Sequence, residues 1–270
     1  FVGSPPLAFT FGLGGLAVFP LRFGAAATLL EKASPPNMIE IIETYKATVC
    51  FTAPTAYRAM LKAMDEGADL SSLRAAVSAG ETLPAPVYEE WMQKTGKPML
   101  DGIGATEMLH IFIGNTLADL KPGTSGRVVP RYEVKLVDND GTDVAPGEIG
   151  TVLVKGGSNA KYYWNNPDKT AVTMLGEWLN TGDMYYQDEE GYFVNCGRGD
   201  DMMKVGGIWC SPFEIEATLV EHPKVLEAAV VGRPDETWGE ALVAYVVPHS
   251  GHSETPENLP GILIEYCGPR

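Results

Sequence analysis

The chain has 270 residues, 45% of them apolar and 20% charged, with a formal net charge of −15. That length can bury a sizeable core and hold more than one domain, and the acidity argues against a general affinity for nucleic acid or an anionic membrane. Cys50, Cys196, Cys210 and Cys267 form no C-x-x-C pair, and His110, His222, His249 and His252 are scattered, so neither a disulfide framework nor a zinc site is expected and a cytoplasmic setting is the natural inference.

The opening stretch carries no charge before Arg22 and would pass for a membrane helix on hydropathy alone. Pro5, Pro6 and Pro20, with Gly12, Gly14 and Gly15, spoil a continuous span, and there is no basic start of a signal peptide. The stretch reads as buried loop and helix. Opening on Phe1 rather than methionine, the chain is expected to begin inside a larger protein.

From Gly24 to Gly104 short apolar runs alternate with helical periodicity. Ala25–Leu30 is one run, and Met38, Ile41, Ile42 and Tyr45 mark a helical face after it. Thr48–Thr52 is strand-like, Ala56, Met60 and Ala63 recur at helical spacing, and Ala75–Ser78 is another buried run. A helix near Pro86–Thr95 can be closed by Gly96, and Pro98–Leu100 is a short strand. Strand–helix units in succession predict a parallel sheet covered by helices, with ligands at the carboxyl ends of the strands.

After Lys121 the pattern changes. Glu133–Val137, Thr151–Lys155 and Tyr192–Asn195 alternate or are β-branched, with turn signals at Asp140-Gly141, Pro146-Gly147 and Glu190-Gly191, which predicts a small antiparallel barrel or sheet. Tyr162, Tyr163 and Trp164 are expected at its core and rim. From about Asp200 a third section begins. Ser211-Pro-Phe-Glu214 is a capping box that starts a helix, and strands Val225–Val231 and Leu242–Val247 follow.

Three segments carry chemistry. Asp101-Gly-Ile-Gly-Ala-Thr106-Glu107 reads as a glycine turn at a strand end, with bare amides and a hydroxyl suited to phosphate. Its carboxylate, Glu107, suits such a cradle only with a cation such as Mg²⁺ between. Trp178–Asp183 places Asp183 after a glycine, where one carboxylate can accept from two ribose hydroxyls or simply cap its own turn. Gly197–Gly207 contains Arg198, Asp200, Lys204, Gly206 and Gly207, of which Arg198 reads equally as a surface ion-pair partner and Lys204 as a solvated loop lysine.

In this order and at these intervals the three segments resemble the adenylate-forming superfamily of acyl-CoA synthetases, peptide-synthetase adenylation domains and luciferases, from about Ser4 to Pro248. The resemblance implies an α/β fold: the C-terminal part of a large AMP-binding domain (1–199, with an α/β subdomain over 1–120 and a β-rich one over 121–199), then a truncated α+β lid over 200–270. It implies nucleotide contacts from Gly80, Glu81, Asp101, Gly102, Ile103, Thr106, Asp183 and Arg198, with Glu107 on Mg²⁺. Asp200 would be the hinge of the lid, Lys204 a lysine of the thioester-forming pose, and Gly206 and Gly207 the approach for CoA.

Thr10, Phe11, His110 and Ile111 match the acyl pocket, although the family often has histidine where this chain has Phe9. Glu107-Met-Leu-His-Ile-Phe112 is similar to benzoate- and aminobenzoate-CoA ligases, which favours an aryl acid; by itself His110 also reads as a packed core residue. The implied substrates are an aryl carboxylic acid, ATP and CoA. A carrier-protein-loading adenylation domain and a non-catalytic nucleotide-binding fragment are the alternatives. No phosphate loop precedes Ser4, no closing Gly-Lys segment with the adenylation lysine follows Pro248, and Gly251–Arg270 has no recognised counterpart. The isolated fragment is therefore expected to be inactive.

Overall fold

A computed structural model describes residues 1–64, 67–205, 208–235, 239–248 and 259–267. Contacts divide them into two compact units, Phe1–Thr181 with Tyr185–Asn195, and Gly182–Met184 with Cys196–Arg270.

The first unit opens with β1 (Val2–Gly3) and an unbroken helical run: α1 (Thr10–Leu13), a π-helical stretch (Gly14–Val18) and α2 (Phe19–Arg22). The face bearing Gly12, Gly14, Gly15 and Leu16 is buried, while Leu21 and Phe23 are nearly four-fifths exposed, so the opening segment is only half buried, against expectation. Then come α3 (Pro35–Tyr45), β2 (Val49–Thr52), α4 (Pro54–Ala63), β3 (Ala75–Ser78), α5 (Ala85–Thr95) and β4 (Met99–Gly104). Strands β1 to β4 run parallel in that order, as the alternating pattern predicts. Ala25–Leu30 contributes only an isolated bridge between Thr28 and Val2.

Each helix is delimited by local chemistry. Pro35 and Pro54 sit in first turns, where the missing N–H costs nothing, and Gly96 closes α5 at φ +63°. The helices bury Met38, Ile39 and Ile42, then Tyr57, Met60 and Leu61, then Val87 and Trp91 against the sheet. Tyr45 and Ala63 do not belong to those faces. Each such side chain contributes roughly 1.5–3 kcal/mol of burial. Tyr57 meets Trp91 edge to face at 4.9 Å, and its hydroxyl donates to the carbonyls of Cys50 (2.9 Å) and Val77 (3.1 Å), stitching β2 to β3.

Beyond Asp101 the sheet turns antiparallel. β4 pairs with β5 (Ile111–Gly114) and β5 with β6 (Arg127–Val128). The segment Asp101–Gly104 is therefore paired strand and not a glycine turn; the turn is the 3-10 helix Thr106–Met108. A second sheet has the order β11 (Phe193–Arg198), β10 (Trp178–Gln187), β8 (Gly150–Lys155), β7 (Glu133–Val137), with β9 (Met174–Leu175) on β10 and α6 (Pro167–Thr173) before it. Met108, Phe112, Leu136, Val152, Tyr185 and Phe193 share its core. Tyr162–Trp164 lie in the loop between β8 and α6, with Trp164 81% exposed, so they are not strand residues of the barrel.

In the second unit β12 (Met203–Val205) and β13 (Ile208–Cys210) form a ribbon, followed by α7 (Pro212–Glu221). Ser211 caps α7 by accepting from the Glu214 amide at 3.3 Å, as the capping box predicts. β14 (Val225–Asp235) and β15 (Gly239–Pro248) make a long hairpin, and α8 (Leu259–Tyr266) adds Leu263 to a core of Met203, Leu219, Val225 and Val230. Among the described residues no helix is long and apolar enough to cross a membrane.

Candidate active site

A cavity of about 400 Å³ opens in the first unit, on the carboxyl-end side of the parallel strands. One part of its wall comes from Pro5, Pro6, Phe9, Thr10 and Phe11 together with His110 and Ile111 at the start of β5. Another part comes from Ala79, Gly80 and Glu81 after β3, from Gly104 at the end of β4, and from Ala105 and Thr106 after it. The two parts meet where the hydroxyl of Thr10 donates to that of Thr106 at 3.5 Å. Chain segments a hundred residues apart in sequence thus share one hollow.

The apolar part is an aromatic cluster. His110 packs at centroid distances of 4.6 Å from Phe19 and 5.6 Å from Phe11, with Phe51, the penultimate residue of β2, at 6.4 Å. Burial holds the imidazole below its ordinary pKa, against the pull of the Phe11 carbonyl 3.4 Å from Nε2. The helical run reaches this cluster through glycines. A Cβ on Gly14 would lie 2.3 Å from the His110 ring, and one on Gly15 would lie 2.7 Å from the Phe51 ring. Phe19 and Phe51 do not stand out in the sequence, and Gly14 does so only as one of the glycines that spoil a membrane span. The position of Phe51 at the carboxyl end of a predicted strand was the available signal.

The polar part is backbone-rich. Gly80 adopts φ +90°, and no atom within 4 Å would obstruct a group placed on its face. Glu81 is tied back to Thr55, accepting from its amide at 3.2 Å and from its hydroxyl. Asp101, Gly102 and Ile103 are not among the lining residues. Ile103 packs on the second core, and the Gly102 backbone pairs across to Gly114. Oδ1 of the Asp101 carboxyl has neither partner nor solvent, while its Oδ2 accepts from the Ser125 hydroxyl at 3.4 Å. Burial pushes it up to about 7 while the Ser78 and Ser125 hydroxyls and the Gly102 amide pull the other way.

Glu107 follows the lining residue Thr106 in the 3-10 turn. Its backbone carbonyl accepts from the Ala160 amide at 2.7 Å, and its Oε1 accepts from the Tyr163 hydroxyl. Burial, then the neighbouring carboxylate, pushes the Tyr163 phenol up to about 12, so it is a donor throughout the working range. Among the described residues no group of three His, Cys, Asp or Glu side chains gathers as a metal cage. A lone carboxylate next to the cavity-lining Thr106 is what Mg²⁺ uses when it takes its remaining ligands from substrate phosphates and water, so the residue fits that ion.

In the second unit Asp183 and Arg198 are brought together, Nη1 donating to Oδ1 at 2.9 Å. Gly182, at φ +73°, lets this happen: a Cβ there would stand 2.9 Å from the guanidinium. Asp200 sits exposed in the turn after β11, where the amides of Asp201 and Met202 return to the Arg198 carbonyl. The Lys204 backbone pairs with Trp209 in the ribbon, while its side chain, like Gly206 and Gly207, lies outside the described residues.

Comparison with known proteins bears on all of these segments. The model of the AMP-binding enzyme family matches residues 1–164, and that of the AMP-binding enzyme C-terminal domain matches residues 214–269. The second match gives the tail a counterpart that was not recognised in its sequence. The chain is 45% identical to a benzoate–CoA ligase of Thauera aromatica over 98% of its own length and 52% of the relative's. It is 44% identical to a 4-hydroxybenzoate–CoA/benzoate–CoA ligase of Rhodopseudomonas palustris over 85% of its length and 43% of the relative's. Among solved structures, an anthranilate CoA ligase in complex with anthranoyl-AMP superposes with a TM-score of 0.89 at 43% identity, and a benzoate CoA ligase from Burkholderia xenovorans with 0.86 at 39%. These superpositions cover 98% of this chain and 52% and 53% of the other chains. The chain spans about half the length of the relatives it matches. It belongs to the AMP-binding enzyme family.

Proposed function

We propose that the chain is part of an ATP-dependent aryl-acid CoA ligase of the benzoate or aminobenzoate type. In the first step the aryl carboxylate attacks the α-phosphate of ATP, forming an acyl-adenylate and releasing pyrophosphate; in the second the CoA thiol attacks the acyl carbon and AMP leaves. The observation that carries the reading is the single cavity whose wall joins an aromatic cluster around His110 to the glycine- and hydroxyl-bearing segments at Gly80 and Gly104–Thr106. A planar ring fits the first and a nucleotide's polar groups the second, and the similar ligases act on acids of this class.

In this reading Phe11, His110 and Ile111 receive the ring, and Thr10 and Thr106 stand where ring and phosphate sections meet. Gly80 admits the adenine face, while Asp101, Gly102 and Ile103 support that section from beneath. Asp183 and Arg198 take the ribose, one carboxylate being matched to two vicinal hydroxyls. Glu107 would hold Mg²⁺, which supplies neutralisation of charge on the transferring phosphate. Asp200 as hinge, Lys204 in the thioester step, Gly206 and Gly207 at the CoA arm, the 1–199 and 200–270 division and a cytoplasmic location belong to the same proposal.

The test is pyrophosphate exchange on the protein expressed from the full reading frame, across a panel of benzoates, aminobenzoates and short-chain acids. Exchange that depends on the aryl acids is expected. Exchange driven equally by acetate or butyrate would overturn the aryl assignment, and the absence of exchange with any acid would overturn the ligase.

A further inference from the structure

The turn bearing Glu107 is held by hydrogen bonds from residues 24 to 56 positions away in sequence. Leu109, just past the 3-10 helix, has φ +73° and ψ −48°, near the γ-turn region that bulky residues avoid. Four hydrogen bonds grip the turn from outside. The Ser158 hydroxyl donates to the Met108 carbonyl at 2.8 Å and the Tyr132 hydroxyl to the same oxygen at 3.4 Å. The Ala160 amide takes the Glu107 carbonyl, and the Tyr163 hydroxyl takes the Glu107 carboxylate. Backbone bonds alone would fix the turn. The last one acts only on the side chain.

Tyr163 is itself anchored. Its amide donates to the Thr170 hydroxyl at 2.9 Å, which donates on to the Asn166 carbonyl at 2.7 Å, and Asn166 caps α6 by accepting from the Lys169 amide at 3.1 Å. The phenol therefore reaches Glu107 from a fixed helix start. Its chemistry is also specific. A lysine or arginine in its place would cancel the carboxylate's charge and compete with a cation, whereas a neutral phenol orients the carboxylate and leaves its negative charge intact.

We propose that Tyr163 is a positioning residue: by occupying Oε1 of Glu107 it fixes the carboxylate so that Oε2 meets the divalent cation of the nucleotide. This rests on the proposed role of Glu107 as that cation's ligand. Outer partners of metal-binding carboxylates typically contribute about 10- to 100-fold in metal affinity, and Tyr163 is assigned to that class.

The experiment measures Mn²⁺ binding in the presence of ATP by electron paramagnetic resonance, and the Mg²⁺ concentration for half-maximal pyrophosphate exchange, on the full-reading-frame protein. Tyr163→Phe removes only the hydroxyl and should weaken metal binding about tenfold or more, with the Michaelis constant for benzoate unchanged. Ser158→Ala loosens the same turn through its backbone; it should lower the melting temperature but leave the metal constants in place. Thr170→Val, which frees the Tyr163 anchor but keeps the phenol, should move the metal constants in the same direction by a smaller factor, and it carries the test if the phenylalanine variant does not fold. Unchanged metal constants in Tyr163→Phe, or equal shifts in Ser158→Ala, overturn the proposal. Glu107→Gln separates the two claims: if it too leaves metal binding unchanged, Glu107 is not the ligand and the underlying reading fails first.

Discussion

Around His110 the cavity wall is apolar and tight; the turn at Glu107, in the same short segment and next to the lining residue Thr106, is polar and tied. The first part is shaped by volume. Phe11, Phe19 and Phe51 surround the imidazole, and the helical run comes near only because Gly14 and Gly15 present bare backbone. The second is shaped by direction, with hydrogen bonds from Ser158, Ala160 and Tyr163 holding a strained turn. Apolar packing penalises an added methyl group and tolerates lost polarity, whereas a hydrogen-bonded turn does the reverse. The first region is thus sensitive to added volume and the second to a lost hydrogen-bond partner.

The harshest way to break the contrast is Gly14→Ala. In an exposed helix that change stabilises by up to about 1 kcal/mol, but here the new Cβ would lie 2.3 Å from His110. Overpacking of this kind costs about 1–3 kcal/mol. The expected outcome is a lower melting temperature and, if the proposed ligase reading holds, a Michaelis constant for benzoate raised about tenfold or more in the full-reading-frame protein, with that for ATP little changed. An unaltered benzoate constant would mean that the aromatic wall has slack.

A smaller effect comes from the buried acid beneath the polar part. The Asp101 carboxyl is raised to about 7 from an ordinary 3.8, mainly by burial. Between those values the folded chain keeps a proton that the unfolded chain has lost, so stability falls as pH climbs from about 4 to about 7 and then levels off. Asp101→Asn cannot titrate. It should exceed the native chain in stability by on the order of 1–2 kcal/mol at pH 8, with the difference fading toward pH 4. Parallel denaturation curves for the two proteins across that range would show that the carboxyl is better solvated than its position indicates.

The smallest expected effect is at Leu109, whose side chain is nearly half exposed while its backbone sits at positive φ. Leu109→Gly should be neutral or stabilising by up to about 1 kcal/mol, since relief of strain offsets the lost packing. A clear loss of stability by chemical denaturation would show that the leucine's contacts, and not the tethers, hold the turn.

The parallel order of β2, β3 and β4, the helices between them and the capped start of α7 were legible in the chain because each follows from short-range periodicity or a local cap. Ser211 and Glu214 stand three apart, and that spacing alone sets the helix start. Asp101–Gly104 misled for the opposite reason. Glycines there serve close pairing with β5, where a Cβ at Gly102 would meet the Ile113 carbonyl at 2.8 Å, and nothing local distinguishes that use from a turn.

Tyr162–Trp164 misled likewise, because aromatic content suits a strand and a surface loop equally until the partner is known. For Tyr163 the partner is Glu107, fifty-six residues away. The motifs, their order and the periodicity of the helices were properties of the sequence by itself. Which glycine closes on His110, which phenol holds Glu107, and that Thr10 reaches Thr106 were decided only by the tertiary structure, since each is a contact between distant segments that no local spacing encodes.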